Sequence, residues 1–279
     1  MTSIEDLLAQ GLNGDTLMLH ASFQGLPGMA HGGSVLAAFD SVASRHGAAT
    51  PREIFGAYRR KVPLSTPLRL DARQSSAGAG FSLSDGNQLL VDGWVRAAHL
   101  LPERPSVPGR LGGGSPLPIS NSCFACGIKN PLGLQVALRF DAEAVWAEYV
   151  PRQPFSTAES HLATAALTTL LDETAFWLGA LVSGESGMTS EIRVTLHRTP
   201  VKFGERLIVI GRRERVIRRP DDSRYWETEA AVLAEDGSLL ATSRITFVAV
   251  RGAAKRLVTG MLSMNPPEVV RRVFPAHLR

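Results

Sequence analysis

A short, almost wholly apolar helix that closes on an aspartate occurs twice in this chain. LAAFD at 36–40 has its counterpart in LTTLLD at 167–172. A helix that is apolar on nearly every face (VLAAF in one copy, AALTTLL in the other) cannot rest on a surface. It has to be swallowed by a sheet that wraps it. Two such helices, each followed by runs that alternate like strands, therefore predict an α+β repeat.

The predicted elements keep one order in both halves. A helix over Ser3 to Gln10 and a strand over 16–23 precede the first apolar helix, Ser34 to Arg45. Strands follow at 53–62, 66–74, 79–84 and 88–97, the last two joined by the Ser84-Asp85-Gly86-Asn87 turn. In the second half, strands at 133–140 and 144–150 precede a helix from His161 to Leu181. Strands at 190–198, 205–217, 224–234 and 238–250 come next, with a Glu235-Asp236-Gly237 turn before the last. YRRKVPL (58–64) lies over LHRTPVKF (196–203), and the Asp-Gly turn at 85–86 over that at 236–237. The chain thus divides into an N-terminal domain (1–100), a Pro/Gly-rich linker (101–120), a C-terminal domain (121–250) and a tail (251–279) that packs as a short helix or arm.

At 279 residues the chain can bury two cores. No run of 18 or more apolar residues predicts a membrane span. The opening MTSIEDLLAQG carries acids where a secretion signal carries bases, so a cytoplasmic location is expected. A formal charge of +4 suits an anionic partner. The basic runs YRRK (58–61) and GRRERVIRR (211–219) lack interleaved aromatics for base stacking, so nucleic acid is not expected.

Several residues carry candidate chemistry. His31-Gly32-Gly33 directly precedes the first apolar helix, where backbone N–H groups lack internal partners and the helix dipole favours negative charge. A glycine amide there can stabilise an oxyanion forming on a carbonyl carbon; the alternative is a tight turn braced by its histidine. Asp40 and Asp172 sit on otherwise apolar helices, where a carboxylate needs a partner or changes its pKa. Each suits a general base or a nucleophile, or a tie to an arginine. Glu173 is expected to be the less buried neighbour of Asp172. Thr189 stands at a strand entrance and can position a water or the carboxylate, with Ser190 as its substitute. Cys123 and Cys126, the two cysteines of the chain, look like half a metal knuckle, but no further cysteine or suitably spaced histidine completes it in sequence. A structural role is expected for them, with a redox or a metal role as the alternatives; no metal or cofactor is assigned. There is no GxSxG, GxGxxG, Walker A or HExxH motif.

The segments FQGLPGMAHGG…FD (23–40), GMTSEIRVTLHRTPVKFGERL (187–207) and CFACGIKNPLGLQV (123–136) resemble the hotdog-fold thioesterase superfamily, in particular its PaaI-like acyl-CoA thioesterases. The resemblance implies two tandem hotdog domains, each an antiparallel sheet around a central helix, joined into one sheet with the site between them. One half would supply the turn and oxyanion amide, the other the carboxylate and hydroxyl. Residue by residue, His31 and Gly32 match the turn, Asp40 and Asp172 each match the carboxylate, and Thr189 matches the hydroxyl. In the second copy the HGG positions fall on Ala163-Thr164-Ala165, with His161 out of register, and in the first copy the hydroxyl position falls near Thr50-Pro51. One complete site is therefore expected, His31 and Gly32 with Asp172 and Thr189, leaving Asp40 as a structural remnant. The resemblance implies hydrolysis of an acyl-CoA or related thioester, phosphate contacts from among Arg59, Arg60, Arg198, Arg212 and Arg213, and a homodimer. Two readings compete: a thioester- or lipid-binding protein without turnover, and a double-hotdog hydratase or dehydratase, for which no His/Asp segment follows the helix.

Overall fold

The computed structural model describes residues 2–45, 47–48, 50–98 and 113–277. Residues 101–112 of the expected linker lie outside them. The described strands form one 14-stranded antiparallel sheet. In chain order they are β1 (Leu12–Asn13), β2 (Thr16–Leu17), β3 (Arg52–Tyr58), β4 (Leu68–Ser75), β5 (Gly78–Asp85), β6 (Gln88–Ala97), β7 (Ser115–Pro116), β8 (Arg139–Phe140), β9 (Ala144–Tyr149), β10 (Gly187–Leu196), β11 (Leu207–Arg212), β12 (Ile217–Arg218), β13 (Tyr225–Ala234) and β14 (Leu239–Ala249). Across the sheet they run β1-β2-β4-β5-β6-β3-β10-β14-β13-β11-β9-β8-β7, with β12 pairing β13. The helices are α1 (Ile4–Gly11), α2 (Gly32–Arg45), α3 (Thr164–Ser183), α4 (Ala253–Leu262) and α5 (Pro267–Val273).

The two halves meet where β3 pairs with β10, Ala57 facing Glu191 and Arg52 facing Leu196. Outward from that seam the orders β3-β6-β5-β4-β2 and β10-β14-β13-β11-β9 match strand for strand. The repeat reaches individual hydrogen bonds. His31 N donates to Phe23 O as Ala163 N donates to Phe155 O, and Ala30 N donates to Val62 O as Leu162 N donates to Val201 O. Likewise Arg59 N and Arg60 N share Leu90 O while His197 N and Arg198 N share Leu240 O. Bonded backbone groups recur because each copy must satisfy the same buried donors at the same corner.

The sheet wraps both apolar helices, giving an α+β molecule. Residues Val35 to Asp40 are all buried, as are Ala165 to Ala175. α3 is long and apolar enough to cross a membrane by composition, yet 83% of its apolar window is buried within the protein. It stops at Gly184, whose φ of 69° supplies the left-handed cap. α1 starts at a capping box between Ser3 and Asp6. The β5–β6 hairpin turns through Gly86-Asn87, with Gly86 at φ 53°.

Several expected elements differ. The strand expected over 16–23 is β2 followed by a 3-10 turn at Ala21–Phe23, the turn that Gln153–Phe155 repeats in the second half. α2 begins two residues before Ser34, because the glycines themselves form its first turn. The strand expected over 133–140 shrinks to β8; Leu134 and Val136 instead donate backbone bonds to Phe124 and Ala125 and cover the cysteine loop. The long strand over 205–217 breaks at a 3-10 turn, Arg213–Arg215. The tail forms two helices, α4 and α5, and Phe274 buries against Trp177 of α3, ring centroids 6.4 Å apart. Asn265 also bonds Ile119 N and O, tying the tail to the stretch entering the second half.

Candidate active site

The site lies where the N-terminus of α2 meets the middle of α3. His31 is held outside the helix by its N–H on Phe23 O and by Ser34 Oγ donating to its carbonyl at 2.6 Å. Gly33 lets the two helices touch: a Cβ there would stand 2.6 Å from Thr168 O and 2.7 Å from Thr169 Cα. Thr168 Oγ1 in turn donates to Gly33 O at 2.7 Å. Asp172 and Glu173 are adjacent on α3 and so point about 100° apart, towards different partners. Thr189 opens β10 at a register shift between Thr189 and Glu191, the kind of irregularity that re-aims a side chain.

Asp172 accepts two hydrogen bonds and pairs with the His31 imidazole. Gly33 N donates to Oδ2 at 3.0 Å, Thr189 Oγ1 donates to Oδ1 at 2.9 Å, and His31 Nδ1 lies 3.0 Å from Oδ2. On the other edge of the imidazole, Nε2 is 3.4 Å from Glu173 Oε2. Trp177 Nε1 donates to Glu173 Oε1 at 2.9 Å, and Cys123 Sγ lies 4.0 Å from Oε2. Tyr58 OH donates to Gly32 O at 2.6 Å, which orients the peptide opening α2.

Burial, here 5% exposure, would raise the Asp172 pKa, but the His31 charge and the bonds from His31, Thr189 and Gly33 outweigh it and hold it below the usual carboxylate range. Burial likewise pushes His31 down, while Asp172 and Glu173 push it up, and the carboxylates win: its pKa stands well above the ordinary value. A hydrogen bond with Cys126 lowers the Cys123 thiol against the opposing effect of burial. Burial, then the Asp172 charge, raises Tyr58, which stays a neutral donor. The arrangement is a fixed carboxylate at a helix N-terminus beside an imidazole, suited to charge stabilisation and proton transfer.

The structure brings His31, Gly32, Asp172 and Thr189 together from opposite halves. The amide that meets Asp172 belongs to Gly33 rather than Gly32; Gly32 lies beside the carboxylate, where a Cβ would stand 2.8 Å from Oδ2. Glu173 departs from expectation. It is 6% exposed, as buried as Asp172, because Trp177 one turn on and the Cys123 loop cover it. Asp40 is 2% exposed and receives Arg52 Nε at 2.6 Å on Oδ1 and Nη2 at 2.8 Å on Oδ2. Arg52, on the strand that β10 repeats, takes up its carboxylate as Thr189 takes up Asp172. Thr50 turns instead to Thr199 O. His161 forms a bridge with Lys202, outside the cluster. Sequence reasoning passed over Arg52, Tyr58 and Trp177. Only Trp177 leaves a local signal, as the i+4 neighbour of Glu173. His31, Cys123 and Glu173 present three metal-type donor atoms within 4.8 Å of one another.

No family model matches the chain, and no curated protein matches it. Solved structures do. A conserved protein of unknown function with a hotdog fold from Alicyclobacillus acidocaldarius superposes with a TM-score of 0.60 at 13% identity, covering 88% of this chain and 97% of its own. A tesB protein of Mycobacterium avium subsp. paratuberculosis gives 0.62 at 12%, covering 89% and 100%. The dehydratase domain of RzxB from Pseudomonas fluorescens gives 0.55 at 14%, covering 78% and 85%. At such identities the likeness speaks for architecture, and it agrees with the seam and the two wrapped helices: the chain takes the hotdog fold, twice in tandem within one sheet.

Proposed function

We propose that the protein is an enzyme that hydrolyses an acyl thioester, acyl-CoA or a related carrier-bound form, at the single site built by His31, Gly32, Asp172 and Thr189. The observation that carries the reading is the crossing of the halves: the carboxylate of one repeat sits on the helix N-terminus of the other, with a hydroxyl on its second oxygen. The thioester carbonyl approaches the Gly32 amide, whose position at the start of α2 stabilises the oxyanion. Asp172 draws a proton from a water that attacks the carbonyl carbon. Thr189 holds the carboxylate, and His31 braces the turn beside the reacting group. Thiol and carboxylic acid leave.

The register of the seam sorts the candidate phosphate-binding arginines. β3 runs antiparallel to β10, so Arg59 and Arg60 leave β3 beside the end of β10 that bears Thr189. Arg198 lies at the other end, beside Thr199 and the Arg52–Asp40 pair, and is paired with Glu205. By position, Arg60, and Arg59 if it leaves Asp92, are therefore preferred over Arg198 as contacts for a coenzyme A phosphate. A homodimer follows from the family resemblance and is read directly by light scattering.

Assay of the purified protein against saturated acyl-CoA thioesters of graded length tests the reading, with 3-hydroxyacyl and enoyl thioesters as a second arm. Release of free thiol by the wild type is expected, and Asp172→Asn should lower kcat by about 10²–10⁴-fold. Arg52 filling the place of a second hydroxyl favours the competing reading, a binding protein that has lost turnover. Thioester binding without thiol release at any chain length would select it, and interconversion of hydroxyacyl and enoyl thioesters would select a dehydratase.

A further inference from the structure

We propose that His31 Nε2, Cys123 Sγ, Cys126 Sγ and Glu173 Oε2 form a binding site for one thiophilic divalent cation, zinc by donor type, behind the candidate active site. Four observations on this chain point there. First, the spacing of the donors suits a metal. Nε2 and the Cys123 sulfur lie 3.4 and 4.0 Å from the same Glu173 oxygen, and all three donors fall within 4.8 Å of one another. A tetrahedral zinc with nitrogen, oxygen and sulfur ligands sets its donors about 3.3–3.8 Å apart. Cys126 follows three residues later in the same turn, its thiol now 3.7 Å from Ser120 Oγ, and supplies the fourth donor by turning from that hydroxyl to the cation.

Second, the Cys-Phe-Ala-Cys-Gly turn is shaped to hold sulfur ligands. Ala125 N donates to Cys123 Sγ at 3.3 Å, a bond that favours a thiolate. Gly127 closes the turn on Cys123 O at 2.9 Å, and a Cβ at Gly127 would stand 2.3 Å from that oxygen. The loop is fastened from outside, by Asn130 Nδ2 on Ser22 O at 2.7 Å and by Phe124 N on Gln24 O at 2.5 Å. Third, the imidazole is oriented as metal-ligating histidines are. Nδ1 faces the Asp172 carboxylate at 3.0 Å and the Gly33 amide at 3.3 Å, which leaves Nε2 as the ring nitrogen aimed at the cluster.

Fourth, the cluster has an excess of acidic groups. Among the described residues, the partners of the buried Asp172 and Glu173 include a single basic side chain, His31. Two buried carboxylates share one imidazole, an acidic surrounding that suits a cation better than an apolar or basic one would. On binding, both thiols lose their protons to solvent and the histidine binds as the neutral ring. The cation would lock the 123–127 turn to α2 and α3 and fix His31 from the side opposite Asp172. Metal binding and thiol release are read separately, so this site and the hydrolase reading, which share His31, can fail separately.

The full-length protein, reduced and kept anaerobic, tests it with metal alone. The chain is expected to carry about one zinc, read by elemental analysis, and after its removal to take up one Co2+ with a thiolate-to-cobalt charge-transfer band and tetrahedral d–d intensity. Cys126→Ser should weaken zinc binding at least about tenfold, and Cys123→Ser with Cys126→Ser should abolish the band. Where the double variant does not fold, competition of wild type against a chromophoric chelator decides, with one zinc withheld per chain as the expected result. Reduced wild type that shows no thiolate–cobalt band and withholds no zinc overturns the proposal, as does a Cys123–Cys126 disulfide in protein never exposed to oxidant.

Discussion

Asp40 and Asp172 occupy equivalent places, 132 positions apart, and have been given opposite surroundings. Asp172 receives neutral donors from Gly33 and Thr189 and a charge from His31. Asp40 is clasped at both oxygens by Arg52, which also reaches Ser44 and Thr199. A buried bidentate pair of this kind is costly to break from one side, since it strands the other charge. Arg52→Met is therefore expected to lower unfolding free energy by about 3–5 kcal/mol, and Asp40→Leu combined with Arg52→Met to recover most of it. Denaturant titration checks both; a loss under about 1 kcal/mol for Arg52→Met would mean that the pair is solvent-screened. In turnover the contrast reverses: Asp40→Asn should retain kcat in the folded fraction while Asp172→Asn loses it, and the opposite outcome would move the site to the other half.

At the scale of elements, the first turn of α2 has two glycines with different duties. A methyl at Gly33 would meet the backbone of α3, which cannot yield without separating the helices. Gly33→Ala is expected to destabilise by about 1–3 kcal/mol, the usual range for overpacking, seen as a lower denaturation midpoint. A methyl at Gly32 would meet Asp172 Oδ2 and the movable end of Ile192, 2.6 Å away. Gly32→Ala should therefore keep most stability and lose activity, by at least about tenfold in kcat/KM. Equal stability losses for the two variants would contradict this division. The helices and hairpins themselves were readable in sequence, since apolar periodicity and Asp-Gly turns are local signals. β8 and β11 were overextended, because Leu134 and Val136 are apolar to cover the cysteine loop rather than to fill a strand, and Arg213–Arg215 turn as a 3-10 helix.

Over the whole molecule, the β3–β10 seam makes the two repeats one folding unit. Neither half can close its sheet edge at the seam alone, and exposed edge strands invite non-specific pairing. Calorimetry is expected to show a single unfolding transition with calorimetric and van't Hoff enthalpies in agreement; two well-separated transitions would show that the seam couples the halves weakly. The tail belongs to the same unit. Deleting 253–279 removes Phe274 from Trp177 and Asn265 from Ile119, and should lower the melting temperature.

The repeat, the two swallowed helices, the two carboxylates and the glycine turn were all set by the sequence, because each rests on patterns a few residues long and a second copy reports them twice. The resemblance already paired His31 and Gly32 with Asp172 and Thr189; what only the tertiary structure decided is which further residues join them. Glu173, Cys123 and Trp177 come together only when α3 lies across the start of α2. Arg52 reads as one more strand arginine until β3 folds beside α2 and carries it to Asp40. Partners at long range follow from how helices and strands stack, and no local pattern encodes that distance.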